Sequence, residues 1–179
     1  MSMPVTTARL LLRPLVREDL PSIDALGDRP MDDAGRRWLE WTVLGTEQHA
    51  ILHQPPYGEL AVIEASSGSL VGLVGLVPSL LPLARTGETP FGARRLPEVG
   101  LYWMLAPSAR GRGYATEAAA ALIDWAFEHL VLERIVATTD HDNVASVRVM
   151  ERLGMTIHRN HTGEPPWLQV VGVLDHGRA

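Results

Sequence analysis

From Val99 to Leu130 the pattern of apolar positions changes once. Positions 99 to 105 (VGLYWML) are apolar and aromatic, as in a buried strand. Pro107 ends that strand because it has no N–H to give a ladder. Apolar residues then fall at 115, 118, 119, 122, 126 and 130, the spacing of a helix with one buried face. Between the two stand Gly111 and Gly113, flanked by Arg110 and Arg112. The pattern predicts strand, tight turn and helix.

The rest of the chain is read the same way. Thr7 to Pro14 predicts a first strand centred on Leu10–Leu12, and Asp19 is placed to cap a short helix through Leu26. Residues 27–33 read as a loop rich in Asp, Pro and Gly. A helix from Ala34 to His49 follows, with Trp38, Trp41 and Leu44 on or near one face. On the pattern alone these pack in a core. Leu60–Glu64, a turn at Ser66-Ser67-Gly68 and Leu70–Val77 predict a hairpin. Residues 78–97, with four prolines and no period, read as one long loop. Strands are expected at 134–139, 155–160 and 167–174, and a helix at 145–153 stopped by Gly154. The strand–helix–strand from Leu101 to Thr139 should be parallel and right-handed, and the other pairings mostly antiparallel. One domain, residues 1–179, accommodates all of this.

A glycine turn opening a helix gathers unpaired N–H groups at the positive end of the helix dipole, a site suited to a diphosphate. Arginine adds charge-assisted bonds to such an anion. The plainer alternative is a glycine-rich connector with solvated arginines.

Composition narrows the chemistry. The chain has no cysteine, and all sixteen Lys+Arg positions are arginine. Disulfides, zinc–thiolate sites, thiol nucleophiles, Schiff bases and the P-loop lysine are therefore excluded. A net charge of −5 argues against a general nucleic-acid or anionic-membrane surface. The chain shows neither an apolar run of membrane-spanning length nor a signal-peptide pattern, so a cytoplasmic location is expected. Asp140-His141-Asp142 lacks a partner cluster and is assigned no metal.

Arg110-Gly111-Arg112-Gly113-Tyr114-Ala115 resembles the Arg/Gln-x-x-Gly-x-Gly/Ala signature of the GNAT superfamily of acetyl-CoA-dependent N-acetyltransferases. Asn143-Val144-Ala145-Ser146, continuing to Leu153-Gly154-Met155, resembles the Asn-x-x-Ser…Leu-Gly-Phe pattern of its ribosomal-protein N-terminal acetyltransferase (RimJ/RimL-type) branch, with Met155 in place of the usual aromatic. The opening Arg-Leu-Leu-Leu-Arg-Pro-Leu is similar to the start of that branch.

The resemblance implies an α/β (α+β mixed) GNAT fold, a mixed and mostly antiparallel sheet of about seven strands with flanking helices. It implies that Arg110, Gly111, Arg112, Gly113, Tyr114, Ala115 and Thr116 hold the pyrophosphate of acetyl-CoA. The backbone of Trp103, Met104 and Leu105 would hold the pantetheine arm. Asn143 would bond the pantetheine or the acceptor amine, and Ser146 would bond the cofactor sulfur or protonate the departing thiolate. On the residues alone, Asn143 is a helix cap with Ser146 in the first turn.

A primary amine is mostly ammonium at pH 7, so a carboxylate should help it lose a proton. Glu98 is the candidate base, although it lies nine residues before Pro107, two more than the family spacing. The acceptor is a primary amine, either a protein N-terminus or a small molecule, with Arg85, Arg94 and Arg95 available for its carboxylate contacts. Without cysteine or lysine, transfer should be direct. An acyl-CoA-binding module without catalysis is the alternative, and a homodimer stays open.

Overall fold

The computed structural model describes residues 4–26, 32–83 and 91–177, the side chains of 91–94 excepted. Its strands are β1 (Val5–Thr6), β2 (Leu10–Pro14), β3 (Gly58–Glu64), β4 (Leu70–Leu83), β5 (Phe91–Leu105), β6 (Arg134–Thr139), β7 (Thr156–Arg159) and β8 (Val170–Asp175). The helices are α1 (Leu20–Asp24), α2 (Asp33–Ile51), α3 (Tyr114–Leu130) and α4 (Val144–Arg152). The eight strands form one sheet in the order β1-β2-β3-β4-β5-β6-β8-β7. Between named strands, β5 pairs with β6 in parallel at Gly100↔Val136, as α3 between them requires.

The chain divides into two compact units, Met1–Leu76 with Tyr102–Leu130, and Val77–Leu101 with Val131–Ala179. In the first unit, Leu10 and Leu12 of β2 and Val62, Leu73 and Val74 of the β3–β4 hairpin are fully buried. From α3 the face carrying Ala118, Ala119, Leu122 and Ala126 joins the core, as its spacing predicts. Asp32 caps α2 by accepting from the Gly35 N–H at 2.9 Å. In the second unit the core is Leu81, Leu83, Val136, Leu168 and Val171. Each such leucine contributes about 1.5–3 kcal/mol by leaving water.

Four expectations are corrected. Much of the supposed loop 78–97 is strand: β4 continues to Leu83 and β5 starts at Phe91, leaving 84–90 outside the described residues. Prolines break a sequence period, yet at Pro78 and Pro82 the extended backbone persists. The last strand begins at Val170 rather than at 167. Trp41 and Leu44 are exposed, Trp41 at 73%, and α2 buries Leu39 and Thr42 instead. Asp19 makes no cap bond to α1; its carboxylate takes two bonds of 2.7 Å from Arg13 and one of 2.9 Å from the Val16 amide, which caps the preceding 3-10 turn.

Candidate active site

In the first unit β5 ends at Leu105, a 3-10 turn covers Pro107–Ala109, and the chain enters α3 through Gly111 and Gly113. Both glycines have positive φ, 74° and 81°, a region that penalises any side chain. A Cβ on Gly111 would meet nothing within 4 Å, so the loop backbone is open to an approaching ligand. The Arg112 carbonyl accepts from Arg9 Nη1 at 3.0 Å. The N–H groups of Gly111, Arg112 and Gly113 have no partner among the described residues. With its carbonyl occupied and its amides free, the loop presents donors at the start of a 17-residue helix.

The cofactor expectation can be tested on one more atom. Thr116 Oγ1, in the first turn of α3, is buried with no hydrogen-bond partner among the described residues. Buried hydroxyls are ordinarily bonded, so an anion on this loop would complete it. The residues present fit a diphosphate.

Around the loop lies a charged network that sequence reasoning missed. The Tyr114 ring is held between the guanidinium groups of Arg9 and Arg112, each 4.7 Å from its centroid. Its hydroxyl donates to Glu64 Oε1 at 2.5 Å, and Arg112 pairs with the same carboxylate at 2.9 Å. The Tyr114 bond, then that of Ser67, holds the Glu64 carboxyl below its usual range; the Glu64 bond pushes the Tyr114 phenol up. Arg9 Nε donates to Glu117 at 2.7 Å, and Thr7 Oγ1 donates to it at 2.6 Å. Arg112 is thus already paired, and its side chain braces the loop. Arg110 Nε donates to the Leu105 carbonyl at 3.3 Å, tying the loop to the end of β5.

Trp103, Met104 and Leu105 are half-buried along β5. Gly72 of β4 lies so close to them that a Cβ there would meet the Met104 carbonyl oxygen at 2.3 Å.

Glu98, Asn143 and Ser146 belong to the second unit. Asn143 caps α4, its side-chain oxygen accepting from the Ser146 N–H at 3.1 Å; Asn143 is exposed and Ser146 half-buried. Glu98 is not a free carboxylate. It is 6% exposed and takes a bidentate pair from Arg134, 11% exposed, with Nε at 2.9 Å and Nη2 on the other oxygen. The Arg134 pKa is raised, first by this bond. Arg85 and the Arg94 side chain lie outside the described residues.

The sheet order, the parallel β5–α3–β6 crossover and a donor-rich glycine turn at the head of α3 define an acyltransferase of the GNAT class. Residues 9–156 match the acetyltransferase (GNAT) domain family, and the chain belongs to that family. The chain is 41% identical over 58 residues to the uncharacterized N-acetyltransferase YnaD of Bacillus subtilis (strain 168), a match spanning 32% of this chain and about a third (33%) of that relative. An acetyltransferase from Agrobacterium tumefaciens str. C58 superposes with a TM-score of 0.70 at 27% identity, over 97% of this chain and 95% of that one. RimL, a ribosomal L7/L12 alpha-N-protein acetyltransferase solved with coenzyme A, shares the fold at 16% identity, with a TM-score of 0.62 over 96% of both chains. No helix among the described residues is long and apolar enough to cross a membrane.

Proposed function

We propose that this chain is an acetyl-CoA-dependent N-acetyltransferase acting directly on a primary amine, either a peptide N-terminus or a small molecule. The observation that carries this reading is the loop Arg110–Thr116, with its unpaired amides and the orphaned Thr116 hydroxyl. Gly111, Arg112, Gly113, Tyr114, Ala115 and Thr116 would hold the pyrophosphate through backbone N–H groups and the Thr116 hydroxyl. Arg110 keeps the loop against β5, and the backbone of Trp103, Met104 and Leu105 would hold the pantetheine arm. Bound acetyl-CoA supplies the activated thioester.

In this reading Asn143 orients α4 through its cap, and Ser146 would offer its hydroxyl proton to the thiolate of the bound cofactor. Glu98 acts through Arg134, holding β5 to β6, because both its oxygens are taken. The proton-accepting role then falls to another carboxylate. The absence of cysteine and lysine favours a ternary complex over an acetyl-enzyme. The two units would work as one domain over residues 1–179, since the family match runs through both.

Gly113→Asp tests the cofactor site, because it puts a side chain at φ 81° and a negative charge where phosphate belongs. We expect coenzyme A binding, followed by calorimetry, to vanish in a folded variant, and thiol release from acetyl-CoA with a panel of amines to vanish with it. Unchanged coenzyme A affinity would defeat the loop assignment. Binding without turnover in the wild type would instead mark a binding module.

A further inference from the structure

The first unit carries a second polar spot away from the phosphate loop. Glu59 of β3 is in register with Gly75 of β4. β4 and β5 run antiparallel: the Ala106 N–H donates to the Val71 carbonyl at 3.0 Å, and Gly100 lies against Val77. The same register sets Gly75 opposite Tyr102. Directly opposed residues share a face, so Glu59 and Tyr102 stand side by side with only a glycine between them. No side chain can be added there, since a Cβ on Gly75 would meet the Gly58 carbonyl oxygen at 2.3 Å. From α2, the Trp38 indole lies close enough to the Glu59 carboxylate to favour its charged form. Trp38, Glu59 and Tyr102 are all half-buried.

Glu59 differs from its neighbours in what it lacks. Asp19, Glu64 and Glu117 are each paired with an arginine, at 2.7, 2.9 and 2.5 Å. Glu59 has no cationic partner among the described residues. A partly desolvated carboxylate flanked by two aromatic rings is the complement of an ammonium group. The carboxylate gives a charge-assisted hydrogen bond and the rings a cation–π attraction.

We propose that Glu59, with Trp38 and Tyr102, receives the primary ammonium group of the acceptor and that Glu59 takes its proton. This rests on the N-acetyltransferase reading and names the base that reading requires. One N–H bond of the ammonium breaks, the proton passes to a Glu59 oxygen and then to water, and the amine keeps its lone pair for attack. Burial, the largest cause, pushes the Glu59 carboxyl above its usual range, and burial followed by the Glu59 charge pushes the Tyr102 phenol up. A raised carboxyl is the better proton acceptor at neutral pH.

The test is Glu59→Gln, with phenethylamine and a tetrapeptide bearing a free N-terminus as alternative acceptors. Calorimetry of phenethylamine binding to protein saturated with coenzyme A reads the ammonium site without turnover. We expect amine affinity to weaken about tenfold or more and acceptor kcat/KM to fall at least as far, with acetyl-CoA KM and coenzyme A affinity unchanged. Glu59→Asp should recover part of the loss, which a purely structural role would not predict. A loss with only one acceptor supports the site and identifies the source of the ammonium. Undiminished binding and acetylation of both acceptors by Glu59→Gln would overturn the proposal. If the wild type binds coenzyme A but acetylates no amine, the acetyltransferase reading fails, while calorimetry still decides the ammonium site.

Discussion

Arg134→Met should cost this protein a large part of its stability. The substitution leaves the Glu98 carboxylate, 6% exposed, without the guanidinium that occupies both its oxygens. Breaking a buried ion pair from one side costs about 3–5 kcal/mol, because the remaining charge is neither solvated nor compensated. At this chain length each kcal/mol moves Tm by about 2–4 °C, so the expected drop is about 6–20 °C. Thermal unfolding followed by circular dichroism, checked by urea titration, measures it. The double variant Glu98→Leu/Arg134→Met removes both charges and should regain most of the loss, since apolar replacement of a buried pair is often close to neutral. Refutation would take the form of an Arg134→Met protein melting within about 2 °C of wild type. Glu98→Gln that keeps its Tm but loses kcat would return Glu98 to the role of base.

Two further outcomes follow from the same geometry. Gly72→Ala puts a methyl 2.3 Å from the Met104 carbonyl oxygen and 2.5 Å from Leu105 Cδ2, so β4 and β5 must part. We expect a loss of about 1–3 kcal/mol in urea unfolding together with weaker coenzyme A binding, and retention of both would contradict the close packing. Acid should destabilise the fold. At Asp19 and Glu117 burial pulls the carboxyl up, but the bonds from Arg13 and Val16, and from Thr7 and Arg9, outweigh it and leave both pKa values lowered. Lowered folded-state values mean stability that is present above the unfolded pKa of about 4 and lost as pH falls through the folded value. Tm should therefore drop as pH goes from about 5 to 3, and equal Tm at the two ends would argue against the pairing.

The resemblance and the spacing together pointed to the glycine turn at the head of α3 because everything that shapes it is local. Gly111 and Gly113 take positive φ values, Pro107 stops β5, and the apolar period of α3 shows which face is buried. The β3–β4 hairpin was legible for the same reason, a turn between two apolar runs. Residues 78–97 were not, because Pro78, Pro82 and Pro97 interrupt a local period, whereas the strands around them owe their shape to neighbouring strands. On α2 the period set Trp41 near Trp38, but only contact with the sheet decides that Leu39 and Thr42 are the buried pair.

Partners of charged side chains lie further still from sequence. Glu98 was named as a base from its place on β5, yet it meets Arg134, 36 positions on. Arg9 meets Glu117 across 108 positions, and Glu64 meets Tyr114 across 50. Glu59 drew no notice at all, since an acidic residue at a strand edge is ordinary until Gly75 and Tyr102 are seen beside it. Sequence determined the helices, the β3–β4 hairpin, the glycine turn and the exclusion of cysteine and lysine chemistry, because these depend on single residues and their near neighbours. Tertiary structure alone decided which arginine meets which carboxylate, and it set Glu59 beside Gly75 and Tyr102. An ion pair carries no sequence period, and any of sixteen arginines can satisfy it until the fold selects one.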